Sequence, residues 1–352
     1  MSDRPQTAWV SRPVGGIPIS EDLAPSIVFA ILYALLLPNI IYTFFIRKPR
    51  AWSIVQISTV IFAVERIAWC IIRAVQAAHP EKQTSGGLMN YVQVTVALGF
   101  VGVSSEVIKL LRCVLVNTTL PENGASKDRR TARQYYRHFC FFFELAFLGA
   151  TIPGIIAGGQ YSSARYDQSK ADSNMNLLKA SASVALILQA VTVLVSLVAA
   201  FKVQEVNRGQ YSSARYDQSK ADSNMNLLKA SASVALILQA VMVLVSLVAA
   251  FKVQEVNRMR CFELAGLTLL IMSAPIYRLC VLDIRTIDVF APISSTDRAL
   301  FYIFHLAPEW TCVSILLSTN VRARFGTGRW GDHELGETPR DKRLKKAEED
   351  AM

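Results

Sequence analysis

Glu65 and Arg66 stand side by side in the middle of an apolar run. Glu309 lies deep in another, four residues after His305, and Arg278 follows Tyr277 in a third. An ionisable group at the centre of a bilayer costs about 2.5 kcal/mol or more, so it faces a partner or a cavity rather than lipid. Glu65, Arg66, Glu309, His305 and Arg278 are therefore a candidate intramembrane polar site. Carboxylate, guanidinium and imidazole groups gathered there can hold the polar end of an amphiphile or carry protons. They can equally be plain architecture, buried ion pairs that fix how helices pack. Nearer one end of their runs lie Glu106, Lys109 and Glu144, with Arg112. Glu106 and Lys109 are three apart and share a helix face, which makes a second candidate cluster. Lys109, Arg73 and Arg278 lie close enough to span ends to stretch toward the headgroups, and His305 reads as a hydrogen-bonded packing residue.

Other chemistries lack their residues. The four histidines, His79, His138, His305 and His333, are scattered, so a histidine-box metal centre has no ligand set. There is no H-E-x-x-H, no G-x-S-x-G, no P-loop and no glycine-rich dinucleotide turn. No aspartate is placed deep in a span. The six cysteines fall in or beside apolar runs without C-x-x-C spacing and read as small buried thiols. The expectation is a protein that is not an enzyme and needs no metal or cofactor.

The elements that position these residues follow from composition. Of 352 residues 52% are hydrophobic and 18% charged, where a soluble chain carries about 25% charge, so the apolar excess must face lipid. Apolar runs near 26–46, 53–75, 90–116, 138–157, 177–201, 227–251, 261–282 and 299–320 are each long enough to cross a bilayer. Residues 1–25 are a polar N-terminal segment, and 321–352 a charged cytoplasmic tail without apolar periodicity, read as disordered. The predicted fold is an all-α transmembrane bundle. The net charge of +10 sits in loops and tail, which suits orientation in a membrane rather than nucleic-acid binding.

One block is written twice. Residues 159–208 recur as 209–258 with a single change, Thr192 against Met242. Basic residues mark the cytoplasmic side of short loops. With the second copy left out, seven spans place 19 Lys and Arg inside against 7 outside. With both copies crossing, the balance becomes 14 inside against 16 outside, which is no bias. The chain thus reads as a seven-helix plan plus one duplicated segment, N-terminus outside or lumenal and C-terminus in the cytosol. A tandem duplication and a gene-model artefact both account for the extra copy. The sequon Asn117-Thr118-Thr119 then falls on the cytoplasmic side and should carry no sugar.

Several short stretches carry a resemblance: Arg47-Lys48-Pro49-Arg50-Ala51-Trp52, Glu65-Arg66-Ile67, Ile152-Pro153-Gly154, Ala274-Pro275-Ile276-Tyr277-Arg278 and Leu306-Ala307-Pro308-Glu309. Over roughly 27–326 the chain resembles a fungal family of seven-transmembrane proteins defined by a domain of unknown function, which implies seven helices and no assigned activity. In helix layout it is also similar to the fungal lipid-translocating exporters named for aminocholesterol resistance, which implies lipid export. Two positions depart from that pattern: Glu65 to Arg73 is one residue longer, and Val281 stands where an acid is expected. A lipid or amphiphile is thus the expected ligand class, besides the bilayer itself. A receptor-like protein and a structural membrane component are the alternatives. Against the receptor, Lys109 to Cys113 lacks the acidic-Arg-aromatic triplet and the last span lacks Asn-Pro-x-x-Tyr.

Overall fold

A computed structural model describes residues 8–46, 53–117, 119, 130–201, 255–328 and 331–332. Among them are seven helices long and apolar enough to cross a membrane: α1 Ser20–Ile46, α2 Ile54–Ala78, α3 Gly86–Asn117, α4 Arg133–Gly159, α5 Gln168–Ser196, α6 Met259–Leu282 and α7 Ser295–Ser318. Their length and composition make this an all-α, multi-pass membrane protein. The basic turn 47–52 and the eighth apolar run, 227–251 in the second copy of the repeat, lie outside the described residues.

Successive helices pack side by side and α7 closes against α1 and α2, with α3 in contact with α2, α4, α5, α6 and α7. Burial follows: 65% of the most apolar window of α3 is buried but only 22% of that of α1, which turns Ile27, Ile31 and Leu35 outward to lipid. α5 and α6 form the most extensive helix pair although the second repeat copy separates them in sequence. Close approach depends on small residues. A side chain at Gly158 of α4 would meet the Val94 backbone of α3 at 2.9 Å, and one at Gly154 would meet the Ser181 hydroxyl of α5 at 2.8 Å.

Helix starts are set by local hydrogen bonds. Ser53 and Gln56 form a capping box before α2, and the Asp297 amide donates to the Ser294 hydroxyl at 3.0 Å to start α7. Inside α7, Pro308 has no amide hydrogen to offer the Phe304 carbonyl. The helix responds with a π-turn over Tyr302–Leu306, in which the Ala307 amide bonds to the Tyr302 carbonyl. This turn brings both Tyr302 and His305 to the inside of the bundle.

Two segments read from sequence as polar tails are partly built into the bundle. Residues 8–19 lie across one end as a lid. β1 (Val10–Ser11) pairs antiparallel with β2 (Arg285–Thr286), and Pro13 to Gly16 make a turn in which Gly15 and Gly16 take φ of 76° and 63°. A side chain on Gly15 would strike the Phe301 ring at 2.9 Å. The Tyr161 hydroxyl donates to the Ser11 carbonyl at 2.6 Å, and burial pushes that phenol well up, so it stays a donor. At the other end Val321–Phe325 is a helix with Val321 and Phe325 buried, a correction to the disordered tail expected from 321. It is held because Asn320 caps it, Gly326 closes it at φ 61°, and the Asn117 amide donates to the Phe325 and Gly326 carbonyls at 3.2 and 3.0 Å. The nitrogen that glycosylation would modify is thereby engaged in the packed bundle.

Candidate functional site

The centre of the bundle holds the expected charges, and they pair. Arg66 of α2 donates through Nε and a terminal nitrogen to the two carboxylate oxygens of Glu309 of α7, at 2.9 and 3.1 Å, and neither side chain has any exposed surface. Its third nitrogen lies 3.5 Å from Glu65 and 3.5 Å from the Thr95 carbonyl of α3. Glu65 accepts from the Tyr91 hydroxyl at 3.2 Å. The guanidinium also stacks over Phe62 and Trp69, at 4.7 and 5.4 Å from the ring centres. Arg278 of α6 is buried within electrostatic reach of Glu309, so two carboxylates face two guanidiniums and the site is close to neutral as a whole.

Space for Arg66 comes from Gly99 of α3, because any side chain there would overlap the guanidinium. Gly99→Ala is expected to cost about 1–3 kcal/mol through overpacking. Gly87 of the same helix has open space around it, and Gly87→Ala should be neutral or mildly stabilising. Thermal unfolding of the two variants in one detergent checks the contrast, and equal melting points would show that Arg66 does not need the gap.

His305 sits 3.7 Å from Glu309 and between the rings of Phe301 and Tyr277, with centroid distances of 5.4 and 6.3 Å. Neither ring nitrogen has a hydrogen-bond partner, which corrects the expectation of a hydrogen-bonded packing residue. The aromatic rings flanking it offer no strong acceptor.

A second buried layer lies toward the lid. Arg73 does not snorkel. It points inward, donating to the Gly15 and Gly16 carbonyls at 2.5 and 3.3 Å, to Asp22 at 3.2 Å and to the Tyr302 hydroxyl at 3.3 Å. Tyr302 donates in turn to Asp22 at 2.9 Å, and Arg298 approaches the same carboxylate at 3.8 Å. Asp22 is thus the hub of this layer, a fully buried aspartate at the head of α1 that sequence reading left in the polar segment. Its signal was its place directly before the first apolar run. Arg278, also read as reaching for headgroups, is buried as well. Arg73 belongs to the interior because it finds Asp22 there, which snorkelling would leave unpaired.

In the second candidate cluster Lys109 lies within electrostatic reach of both Glu106 and Glu144, without a close ion pair to either among the described residues. Glu106 turns fully inward beside Thr59 of α2. Glu144 instead approaches Arg112 at 3.7 Å, and Asp332 bonds Arg137 at 2.7 Å. A three-residue separation places Glu106 and Lys109 near each other along the helix. They are also about 60° apart around the helix axis, so Glu106 faces the core while Lys109 is part-exposed.

Taken together, one face of α2 carries Gln56, Thr59, Arg66, Arg73 and Gln76, all buried. From Gln56 to Arg73 this polar column rises about 25 Å, most of the hydrocarbon thickness. Beside its lid-side half, between α6 and α7, lies a cleft of about 460 Å³. Ser273, Ile276, Tyr277, Cys280, Leu300 and Phe304 line it, and Arg12 and Asp297 stand at its mouth. Ile276, Leu300, Phe304 and Cys280 are exposed on the bundle perimeter, so the cleft opens sideways to lipid. Tyr277 is shared: it walls the cleft on one side and stacks near His305 on the other.

Comparison with protein-family models, with curated proteins and with solved structures finds no match to this chain.

Proposed function

We propose that this membrane protein takes up a lipid-like amphiphile from the bilayer through the cleft between α6 and α7 and moves its polar end along the buried column. The observation that carries this reading is the placement of a lateral apolar cleft whose wall, Tyr277, packs against His305, itself 3.7 Å from the Glu309 carboxylate that holds Arg66 of that column. Hydrocarbon favours the tail in the cleft, and the polar column lowers the cost of a headgroup at depth. The likeness in layout to lipid-translocating exporters points the same way. No covalent step is assigned to any residue. The excess of basic residues at the Val321–Phe325 end supports placing that end in the cytosol and the lid outside or in a lumen.

Vesicles holding the purified full chain and a fluorescent-tailed phospholipid test the proposal. Lipid exchange between leaflets should exceed that of empty vesicles, and Ser273→Trp, which fills the inner end of the cleft, should return it to the empty-vesicle rate. Exchange at the wild-type rate in Ser273→Trp would overturn the route. The closed Arg66–Glu309 pair favours a second reading, a structural bundle without a ligand, and that reading gains if wild-type vesicles show no exchange at all.

A further inference from the structure

We infer that the cleft selects a glycerophospholipid with a zwitterionic headgroup, one chain seated between α6 and α7 and the headgroup at Arg12 and Asp297; this rests on the amphiphile reading above. Depth supports a bilayer lipid. From Ile284 at the mouth to Ser273 at the inner end, α6 and its first turn outward cover about 16 Å, close to half of a hydrocarbon core of about 30 Å. The cleft is therefore one leaflet deep. Its charged residues, Arg12 and Asp297, stand at the mouth, where the headgroups of that leaflet lie.

Charge at the mouth supports the choice of headgroup. Arg12 is fixed at the level of the end of α6 by its backbone amide, which donates a hydrogen bond to the Ile284 carbonyl at 2.8 Å, and Asp297 lies in the first turn of α7. Their side chains pair at 2.7 Å while remaining 26% and 39% exposed. The neighbouring charges are engaged with one another: Arg285 with Asp172 at 3.1 Å, Arg298 with Glu21 at 2.6 Å, Lys179 with Asp283 at 2.5 Å. A phosphate and an ammonium on one headgroup can replace the Arg12–Asp297 contact with two new ones, phosphate to Arg12 and ammonium to Asp297. Every charge keeps a counter-charge in that exchange. A purely anionic headgroup meets Arg12 but sets its phosphate against the Asp297 carboxylate, and loses affinity.

The test is lipid retention by the purified full chain, read by native mass spectrometry after equilibration with equal amounts of phosphatidylcholine and phosphatidylglycerol of identical chains. Wild type should keep the zwitterionic lipid over the anionic one by roughly three- to fivefold, the size of a part-exposed charge contact. Asp297→Asn should bring the ratio to parity or invert it. The exchanged pair Arg12→Asp with Asp297→Arg should restore the preference, because both charges are again present. Circular dichroism and elution as a single species confirm folding of each variant. One lipid ratio in wild type, Asp297→Asn and the exchanged pair would overturn the headgroup assignment. Cys280→Trp, which occupies the cleft, should reduce retention of both lipids. Undiminished retention in that variant would instead overturn the amphiphile reading on which the assignment rests.

Discussion

Replacing Glu309 with alanine should cost about 3–5 kcal/mol of stability, because it leaves the Arg66 guanidinium buried without its bidentate partner. Glu65 at 3.5 Å meets only one nitrogen and is itself part-exposed, so it compensates little. In a chain of this size the loss should appear as a fall in melting temperature on the order of 10 °C, or as failure to accumulate. The informative variant is the double one. Arg66→Met with Glu309→Leu removes both charges and fills the space with apolar atoms, and it should recover most of the loss. Thermal unfolding of wild type, Arg66→Met, Glu309→Leu and the double variant gives the coupling between the two residues. A double variant no more stable than Glu309→Ala would show that Arg66 is held by Thr95, Glu65 and the aromatic rings rather than by Glu309. Recovery would identify the pair as a closure that any transport cycle has to open.

Asp22→Asn should release the lid. The carboxylate neutralises Arg73 and lies near Arg298, and Arg73 in turn holds the Gly15 and Gly16 carbonyls. Without the negative charge, buried Arg73 is better served by turning toward water, and the turn it anchors loses two hydrogen bonds. A thiol placed at Val14, a buried lid position, reports this in a background where exposed Cys280 is replaced by serine. Its reaction with a water-soluble maleimide should quicken at least about tenfold in Asp22→Asn, which corresponds to about 1.4 kcal/mol of easier opening. An unchanged rate would mean that the β1–β2 pairing and the remaining backbone contacts suffice to close the bundle.

The aggregate architecture was readable because a membrane imposes a simple rule. Backbone groups in hydrocarbon must bond internally, so a long apolar run is a helix, and seven such runs coincide with α1 to α7. Helix ends were less readable. α3 and α5 run several residues into stretches that look polar, since helical bonding continues past the apolar core wherever capping and neighbours allow. Glu65, Arg66 and Glu309 stood out by cost alone, and their convergence needed only that costly charges find one another. Arg73 was misread for a related reason. Its acidic partner, Asp22, sits outside any apolar run and carries no such penalty in one dimension. Gly99 gave no sign of being the gap that accommodates Arg66, because a glycine in a membrane helix is common and only the neighbouring side chain makes this one matter.

Sequence alone determined that the chain crosses a membrane repeatedly as helices, and that Glu65, Arg66 and Glu309 are drawn inward, because both follow from the cost of exposing polar atoms to hydrocarbon. Tertiary structure alone decided that Arg66 takes Glu309 in a two-pronged grip and that Glu106 is buried while Lys109 is part-exposed. It also decided that residues 8–19 close one end, and that Arg12 meets Asp297 at the mouth of a cleft. Those outcomes depend on the rotation of each helix about its axis and on contacts between residues far apart in the chain. Hydropathy along a single strand of letters carries depth in the bilayer but no such angle.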